Sequence, residues 1–490
     1  MVAALPTLRT DAFIDGTFRP AASGARFPTE NPATGRQLAE VAAGDVEDVD
    51  IAVRAARRAF EAGVWSRRSP TDRKQILLAF ADLIDANLEE LAQLEALDAG
   101  KPITDCREVD IPETARTFRW YAEALDKVFD AVAPTGHDAL GLIIREPIGV
   151  VGAVLPWNFP LLMAAWKAAP ALAAGNSLIV KPAELTSLST LRLAQLAAEA
   201  GIPDGVFSVV PGLGETAGQA LGRHMDVDAL SFTGSTEVGR MFLRYASESN
   251  LKEIVLECGG KSPQLIMADP PDLDYVADQV LFAGFMNMGE NCTCGSRLIV
   301  HRSVRDELLD RLVSKTADWL VGDPLDAATK IGPMIERPHL DKVLGYIAAG
   351  REEGARVVVG GGRTLESSGG HFVEPTVFDD VRNSMTIARE EIFGPVISTI
   401  PFETEEEAIA LANETSYGLA ASLYTTDLDT AFRVARSIKA GTVSVNSYSE
   451  GDITTPFGGF KQSGFGGRDK GLEAFDQYTQ TKTVWVTLRS

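Results

Sequence analysis

Only four cysteines, at positions 106, 258, 292 and 294, occur among 490 residues, too few and too clustered for a disulfide framework in a chain of this size. A reducing compartment is expected, with stability coming from packed cores. The length exceeds what one hydrophobic core usually serves, so two or more domains are expected. Positive charge is scarce too: 46 Lys and Arg face 68 Asp and Glu, a formal net charge of −22. That balance argues against a nucleic-acid partner, because phosphate binding needs a basic footprint. No stretch reaches the roughly twenty apolar residues that span a bilayer. The opening Met1-Val2-Ala3-Ala4-Leu5-Pro6-Thr7-Leu8-Arg9 has no charged leader followed by a long apolar core. The expectation is an unprocessed, cytoplasmic protein with no membrane partner.

What is present is an alternation of short apolar runs and helix-like stretches. Turns at Phe13-Ile14-Asp15-Gly16 and Asn31-Pro32-Ala33-Thr34-Gly35 suggest a hairpin region, and Ala- and Leu-rich periodic runs follow from about Asp45 to Val128. From Gly149 the runs Val150–Leu155, Ser177–Val180, Val206–Val210 and Ala229–Phe232 imply a parallel sheet with covering helices. A second set, Pro263–Ile266, Arg297–Val300, Ala355–Val359 and Val443–Val445, implies a second α/β domain. Two β-like pieces, Leu140–Pro147 and Thr481–Thr487, fit neither set; exposed strand edges attract other chains, so they are candidate oligomerisation strands.

The chemistry concentrates where glycine and thiol meet. Phe285-Met286-Asn287-Met288-Gly289-Glu290-Asn291-Cys292-Thr293-Cys294-Gly295 reads as a nucleophile turn, with glycines permitting close backbone approach to Cys292 and Asn291 and Thr293 offering a polar setting. Cys258 and Cys294 read as buried bystanders, and Cys-x-Cys with one distant cysteine lacks ordinary zinc spacing, so no metal is expected. The five histidines, at 137, 224, 301, 339 and 371, sit in no distinctive context and read as surface or structural residues. Glu257, in Leu256-Glu257-Cys258-Gly259-Gly260-Lys261, is the better base; its alternative is a solvated or salt-bridged glutamate. Asn158, between Pro156-Trp157 and Phe159-Pro160, projects an amide able to donate to an oxyanion, and is otherwise a turn residue.

The usual Gly-x-Gly-x-x-Gly dinucleotide fingerprint is missing. Lys181-Pro182-Ala183-Glu184, Phe232-Thr233-Gly234-Ser235 and Glu391-Ile392-Phe393-Gly394-Pro395 nevertheless suggest a nucleotide, since small residues at a strand-to-helix turn let backbone N–H groups meet a pyrophosphate. Lys181 and Glu184 suit ribose hydroxyls, and a carboxylate there disfavours a 2′-phosphate, so NAD is favoured over NADP.

In this order the Pro-Trp-Asn turn, Lys-Pro-Ala-Glu, Phe-Thr-Gly-Ser, Glu-x-Gly-Gly-Lys, Gly-x-x-Cys, Glu-Ile-Phe-Gly-Pro and Pro456-Phe457-Gly458-Gly459 resemble the NAD(P)-dependent aldehyde dehydrogenase superfamily across nearly the whole chain. The resemblance implies an α/β fold with a Rossmann-like cofactor domain (residues 1–126 and 148–258), an α/β catalytic domain (259–471) and a small β oligomerisation element (127–147 and 472–490), assembled as a dimer or tetramer. It implies Cys292 as nucleophile, Glu257 as general base, and Asn158 with the Cys292 N–H as oxyanion hole. It also places Pro156, Trp157, Lys181, Glu184, Phe232, Gly234, Ser235, Glu391 and Phe393 against NAD, and makes Lys167 and Asp469 a candidate proton path. The implied reaction oxidises an aldehyde to a carboxylic acid through a cysteine hemithioacetal and thioester.

Glu290 and Cys258 stand where many relatives have glutamine and leucine, which resembles the branch acting on γ-glutamyl-γ-aminobutyraldehyde and other ω-aminoaldehydes of polyamine breakdown. That resemblance implies substrate contacts from Asp110, Glu113 and Glu450, with Phe159, Met163, Trp166 and Tyr448 forming the apolar tunnel; a solvated acidic face and core packing are the alternatives. A thiol esterase without redox chemistry, an aldehyde dehydrogenase of broad specificity, and a catalytically silent structural protein remain open.

Overall fold

The computed structural model describes residues 6–489; the leader reading at Met1–Leu5 lies outside the described residues. An eight-stranded sheet is built around five parallel strands, in the spatial order Glu253–Glu257, Ala229–Thr233, Val150–Val154, Ser177–Lys181 and Phe207–Val209. Four of these, Val150–Val154, Ser177–Lys181, Phe207–Val209 and Ala229–Thr233, are buried along their whole length, as near-continuous apolar runs require. Their side chains alternate between two cores. Val150, Ile179 and Leu230 meet Val49, Ala52 and Val53 of the helix Val46–Ala62. Val151, Leu178 and Val180 meet the helices Pro160–Ala174 and Leu188–Glu199. The N-terminal turns form two hairpins, one extending this sheet (Ala12–Ile14 with Thr17–Arg19) and one separate (Arg26–Asn31 with Arg36–Ala42).

A seven-stranded sheet follows, with Pro263–Ile266 beside Arg297–His301 and Ala420–Tyr424 and its own core of Leu265, Ile266, Leu298, Ile299 and Ile397. It is parallel except at one edge, where Arg356–Val359 runs antiparallel to Thr376–Asp379. Gly464–Phe465, late in the chain, crosses back to pair with Glu253–Glu257 of the first sheet. The two candidate oligomerisation strands pair with each other: Ala139–Pro147 and Thr479–Thr487 are antiparallel over nine residue pairs, and Ala131–Ala133 completes a three-stranded sheet.

In the first sheet the chain order reverses at Val150–Val154, whose neighbours are Ser177–Lys181 on one side and Ala229–Thr233 on the other. Ligands of open α/β sheets bind outside the carboxyl ends of strands at such a reversal. The loops leaving these ends carry Pro156–Asn158, Glu184, Ser235 and Cys258. The second sheet turns its amino ends to the same place, since Gly259, Cys292, Phe393 and Leu419 each precede one of its strands.

Asn176, fully buried, ties the three-stranded sheet to the first: it accepts from the Gly149 N–H (2.9 Å) and donates to the carbonyls of Ala171 (3.0 Å) and Tyr478 (2.9 Å). Asn176→Ala leaves the Gly149 N–H without a partner, although the Ala171 and Tyr478 carbonyls keep the N–H groups of Asn176 and Ile148, and is expected to cost about 1–3 kcal/mol, read as an earlier midpoint of urea inactivation. An unchanged midpoint would refute this role.

Candidate active site

One cavity of about 660 Å³ opens between the carboxyl ends of the first sheet and the amino ends of the second. Such a volume is ordinary for a ligand site. Its wall includes Asn158, Glu257 and Cys292, all nine residues expected to face a cofactor, and Phe159, Met163, Trp166, Tyr448, Glu450 and Asp110. Glu113 is not part of that wall; it pairs with Arg116, which also reaches Asp452.

The nucleophile turn is held by unusual backbone. Asn287, Met288 and Gly289 are three consecutive left-handed residues (φ 52°, 58° and 67°), a conformation that is costly for the two non-glycines and persists only where surrounding contacts enforce it. A Cβ on Gly289 would lie 2.3 Å from the Gly394 carbonyl oxygen, and one on Gly260 would lie 2.2 Å from that of Cys292. Glycine at both positions therefore lets the Glu-x-Gly-Gly run, the nucleophile turn and the Glu391–Gly394 turn touch backbone to backbone.

Cys292 is the only one of the four cysteines that is partly exposed. Burial pushes its thiol well above the ordinary range, and the carboxylates of Glu450, Glu391 and Glu257 push the same way. Asn291 and Thr293 do not cradle the sulfur, as the sequence suggested. They belong to a chain in which the Asn291 amide donates to the Tyr448 hydroxyl (2.8 Å), that hydroxyl is 2.7 Å from Thr293 Oγ1, and Thr293 donates to Glu450. The turn thereby anchors the loop that carries Tyr448 and Glu450.

Glu257 ends its strand almost fully buried. Oε2 accepts the Gly459 N–H at 3.3 Å and Oε1 has no partner. Burial raises its pKa well above the carboxylate range, the charge of Asp469 adds to this, and Lys167 and Arg468 oppose it. Lys167 and Asp469 form a buried ion pair (2.6 Å), and Gln477 donates to the second carboxylate oxygen. Asn158 donates its side-chain amide to the Glu290 carbonyl (2.9 Å), which leaves one amide N–H free of protein partners.

In the cofactor half, Ser235 caps the helix Thr236–Ser247 by accepting the Val238 N–H, so that helix N-terminus opens on the cavity. Lys181 pairs with Glu184 at 2.8 Å. Glu391 accepts the Gly260 N–H at 2.9 Å, and burial lifts it to about 7. Phe393 has a left-handed backbone (φ 60°), pinned by His339, whose Nε2–H donates to the Phe393 carbonyl at 2.6 Å. Trp157 packs edge-on against both rings, at 5.3 Å and 5.2 Å. Burial lowers the His339 imidazole to about 4, so it is neutral at physiological pH.

His339 was read from the sequence as surface or structural, and its place in the cavity wall carries no local sequence signal. Two further residues were missed. Asn287 donates to the carbonyls of both Asn158 (3.1 Å) and Glu290 (2.9 Å). Lys101 is fully buried and bonded to Asn158 and Asp110. A lone lysine in the acidic stretch Asp98–Asp110 was the available clue to the latter. Glu95, Cys106 and Asp110 lie close enough to share an ion, but the Lys101 ammonium already supplies positive charge among them.

Comparison with known proteins gives a consistent result. The family model described as "Aldehyde dehydrogenase family" matches residues 18–484. An aminoacetaldehyde dehydrogenase of Pseudomonas aeruginosa is 56% identical over 485 residues, covering 99% of this chain and 97% of that protein. The crystal structure of a γ-glutamyl-γ-aminobutyraldehyde dehydrogenase from Burkholderia cenocepacia superposes with a TM-score of 0.97 at 52% identity, covering 99% and 97% of the two chains. An indole-3-acetaldehyde dehydrogenase solved with NAD⁺ gives the same TM-score and identity, covering 98% of this chain and 97% of that one.

The four thiols make a direct test. Iodoacetamide is expected to label Cys292 first, at a rate rising about tenfold per pH unit past pH 9, because the reactive thiolate forms only as pH approaches the raised value. Peptide mapping checks both points; preferential labelling of Cys106, Cys258 or Cys294, or a plateau below pH 8, would contradict them.

Proposed function

The chain belongs to the aldehyde dehydrogenase family, and from that premise we propose that it oxidises an ω-amino or γ-glutamylamino aldehyde to the carboxylic acid with NAD. The observation that carries this reading is the convergence of Cys292, Glu257 and Asn158 on one cavity that also presents Lys181, Ser235 and Glu391. Those last residues fit a dinucleotide. The open helix N-terminus suits a pyrophosphate, Glu391 suits ribose hydroxyls, and the Glu184 carboxylate disfavours a 2′-phosphate, hence NAD rather than NADP. When bound, NAD supplies the hydride acceptor.

The chain's own residues do the rest. Cys292 adds as thiolate to the aldehyde carbon, and the oxyanion of the hemithioacetal is met by the free amide N–H of Asn158 and the backbone N–H of Cys292. Loss of hydride from that carbon leaves a thioester on Cys292. Glu257 takes a proton from water, whose oxygen adds to the thioester carbonyl; the C–S bond breaks and the acid leaves. Because burial raises Glu257, its basic form is lost as pH falls, so thioester hydrolysis slows on the acid side. Lys167 and Asp469 pass on the proton.

For the substrate, Glu450 offers a carboxylate anchored through Thr293, one residue from the nucleophile. The apolar stretch fits between Trp166 and Phe457, whose rings pack at 5.0 Å, with Met163 and Phe159. Lys470 crowns the same two rings, at 4.9 Å and 5.2 Å, and donates to the Glu450 carbonyl, which orders the loop. Residues 1–126 with 148–258 form the cofactor domain, 259–471 the catalytic domain, and 127–147 with 472–490 the element that assembles a homodimer or tetramer. Exposed Trp485 and Val132 on its three-stranded sheet support that last role. Among the described residues no helix is long and apolar enough to cross a membrane. A cytoplasmic location completes the proposal.

An aldehyde panel followed by NADH absorbance tests the reading. NADH is expected with ω-aminoaldehydes, and Glu450→Gln is expected to raise KM for cationic aldehydes about tenfold, roughly 1.4 kcal/mol, while neutral aldehydes shift less than about twofold. Ester cleavage without NADH would refute the oxidation. Equal shifts for both aldehyde classes would refute the role of Glu450 and favour broad specificity.

A further inference from the structure

Lys101 has no role in the chemistry described above, yet it is fully buried in the wall of the cavity. Its ammonium donates to the Asn158 carbonyl at 3.0 Å, lies 2.9 Å from Asp110 Oδ2, and sits 3.6 Å from the centroid of the Phe159 ring. All three partners are fixed. Asp110 ends a five-residue π-helical segment, Cys106–Asp110, of a kind that often marks functional sites. The helix Ile111–Ala124 then carries the chain away. The Asn158 carbonyl has one other donor, the Asn287 amide at 3.1 Å. The peptide plane between Asn158 and Phe159 is therefore set by two donors, and only one of them is charged.

We infer that Lys101, braced by Asp110, is a positioning residue that holds the Asn158–Phe159 peptide so that the Asn158 side-chain amide faces the Cys292 oxyanion. A buried hydrogen bond from an ammonium is stronger than a neutral one, and its loss frees the peptide to rotate. Without that anchor the Asn158 backbone can also shift, and its Cα carries the side-chain amide, whose other contact is the Glu290 carbonyl. An oxyanion donor acts only when preorganised, and removing one costs about 10²–10³ in kcat. Misplacing one costs less, on the order of 10- to 100-fold. Asp110 thus acts on the turn that would present the oxyanion donor rather than on the substrate. This inference rests on Asn158 being that donor.

The test is a mutant cycle in the full-length enzyme with NAD and an aldehyde, with kcat normalised to active sites counted by Cys292 labelling. The partner of the lysine is changed as well, so that the Asp110 carboxylate is not left uncompensated: Lys101→Met with Asp110→Asn, and Asn158→Ala, separately and combined. The Lys101/Asp110 variant is expected to lose about 10- to 100-fold in kcat with KM for aldehyde within about threefold, since the contact matters only once charge develops. In the Asn158→Ala background the same change is expected to add less than about twofold. Lys101→Gln with Asp110→Asn carries the same expectation and keeps a polar group in the cavity should the methionine variant fold poorly. Losses that multiply would overturn the inference, as would a Lys101/Asp110 variant of normal kcat beside a damaged Asn158→Ala; neither result touches the oxyanion assignment. A silent Asn158→Ala would overturn that assignment, and the inference with it.

Discussion

Two side-chain amides stitch the turn that follows the strand Val150–Val154 to the turn that carries Cys292, and the arrangement of everything else in the cavity depends on that seam. Asn158 and Asn287 both donate to the Glu290 carbonyl at 2.9 Å, and Asn287 also reaches the Asn158 carbonyl. The two turns come from different sheets, one from a carboxyl end and one from an amino end, so these bonds set the register between the halves of the site. They are buried, and a carbonyl left unpaired there would cost about 1–3 kcal/mol. The seam also explains the backbone cost at Asn287 and Met288: left-handed geometry is what brings the Asn287 amide back onto both carbonyls.

Around the seam the cavity is rich in carboxylates and poor in counter-charge. Glu257, Glu391 and Glu450 face the thiol, and all three oppose its ionisation. Burial likewise raises Glu95 to about 7 and Asp105 to about 6 behind Asn158. The cations are few and most are committed: Lys101 to Asp110, Lys167 to Asp469, Lys181 to Glu184 and Lys470 to the Glu450 loop, while Lys342 in the wall opposes the rise at Glu391. Without ligand, the site therefore holds Cys292 as a thiol, not a reactive thiolate. For a thiol that borders an open cavity, that protects against oxidation. A cationic aldehyde entering the cavity meets more carboxyl groups than cations.

Much of this was legible in the sequence because it is local. The apolar runs at 150–155, 177–180 and 229–232 became strands close to their expected bounds, and the motifs at strand ends met in one cavity because parallel strands bring their carboxyl ends together. What was not legible depends on contacts between distant segments. Lys101 meets Asn158 across 57 residues. His339 meets Phe393 across 54, and neither neighbourhood signals the other. The pairing of Ala139–Pro147 with Thr479–Thr487 came from the resemblance, which places both in one element, and not from the local sequence, where each reads only as an edge seeking a partner. The direction of Arg356–Val359, antiparallel to its neighbour, was not legible either, since a run of valines gives no strand direction. Glu113 was placed by resemblance, and one turn of helix separates it from Asp110, enough to face Arg116 instead.

The most direct measurement is a single turnover of Glu257→Gln with NAD and an aldehyde, quenched and read by intact mass and peptide mapping. Expected is a burst of NADH of about one equivalent per active site, followed by slow turnover, with the acyl mass of the substrate on the peptide at Cys292. Undiminished steady turnover, or an acyl group on Cys294 or on neither thiol, would contradict the assignment of Cys292 as nucleophile and Glu257 as base.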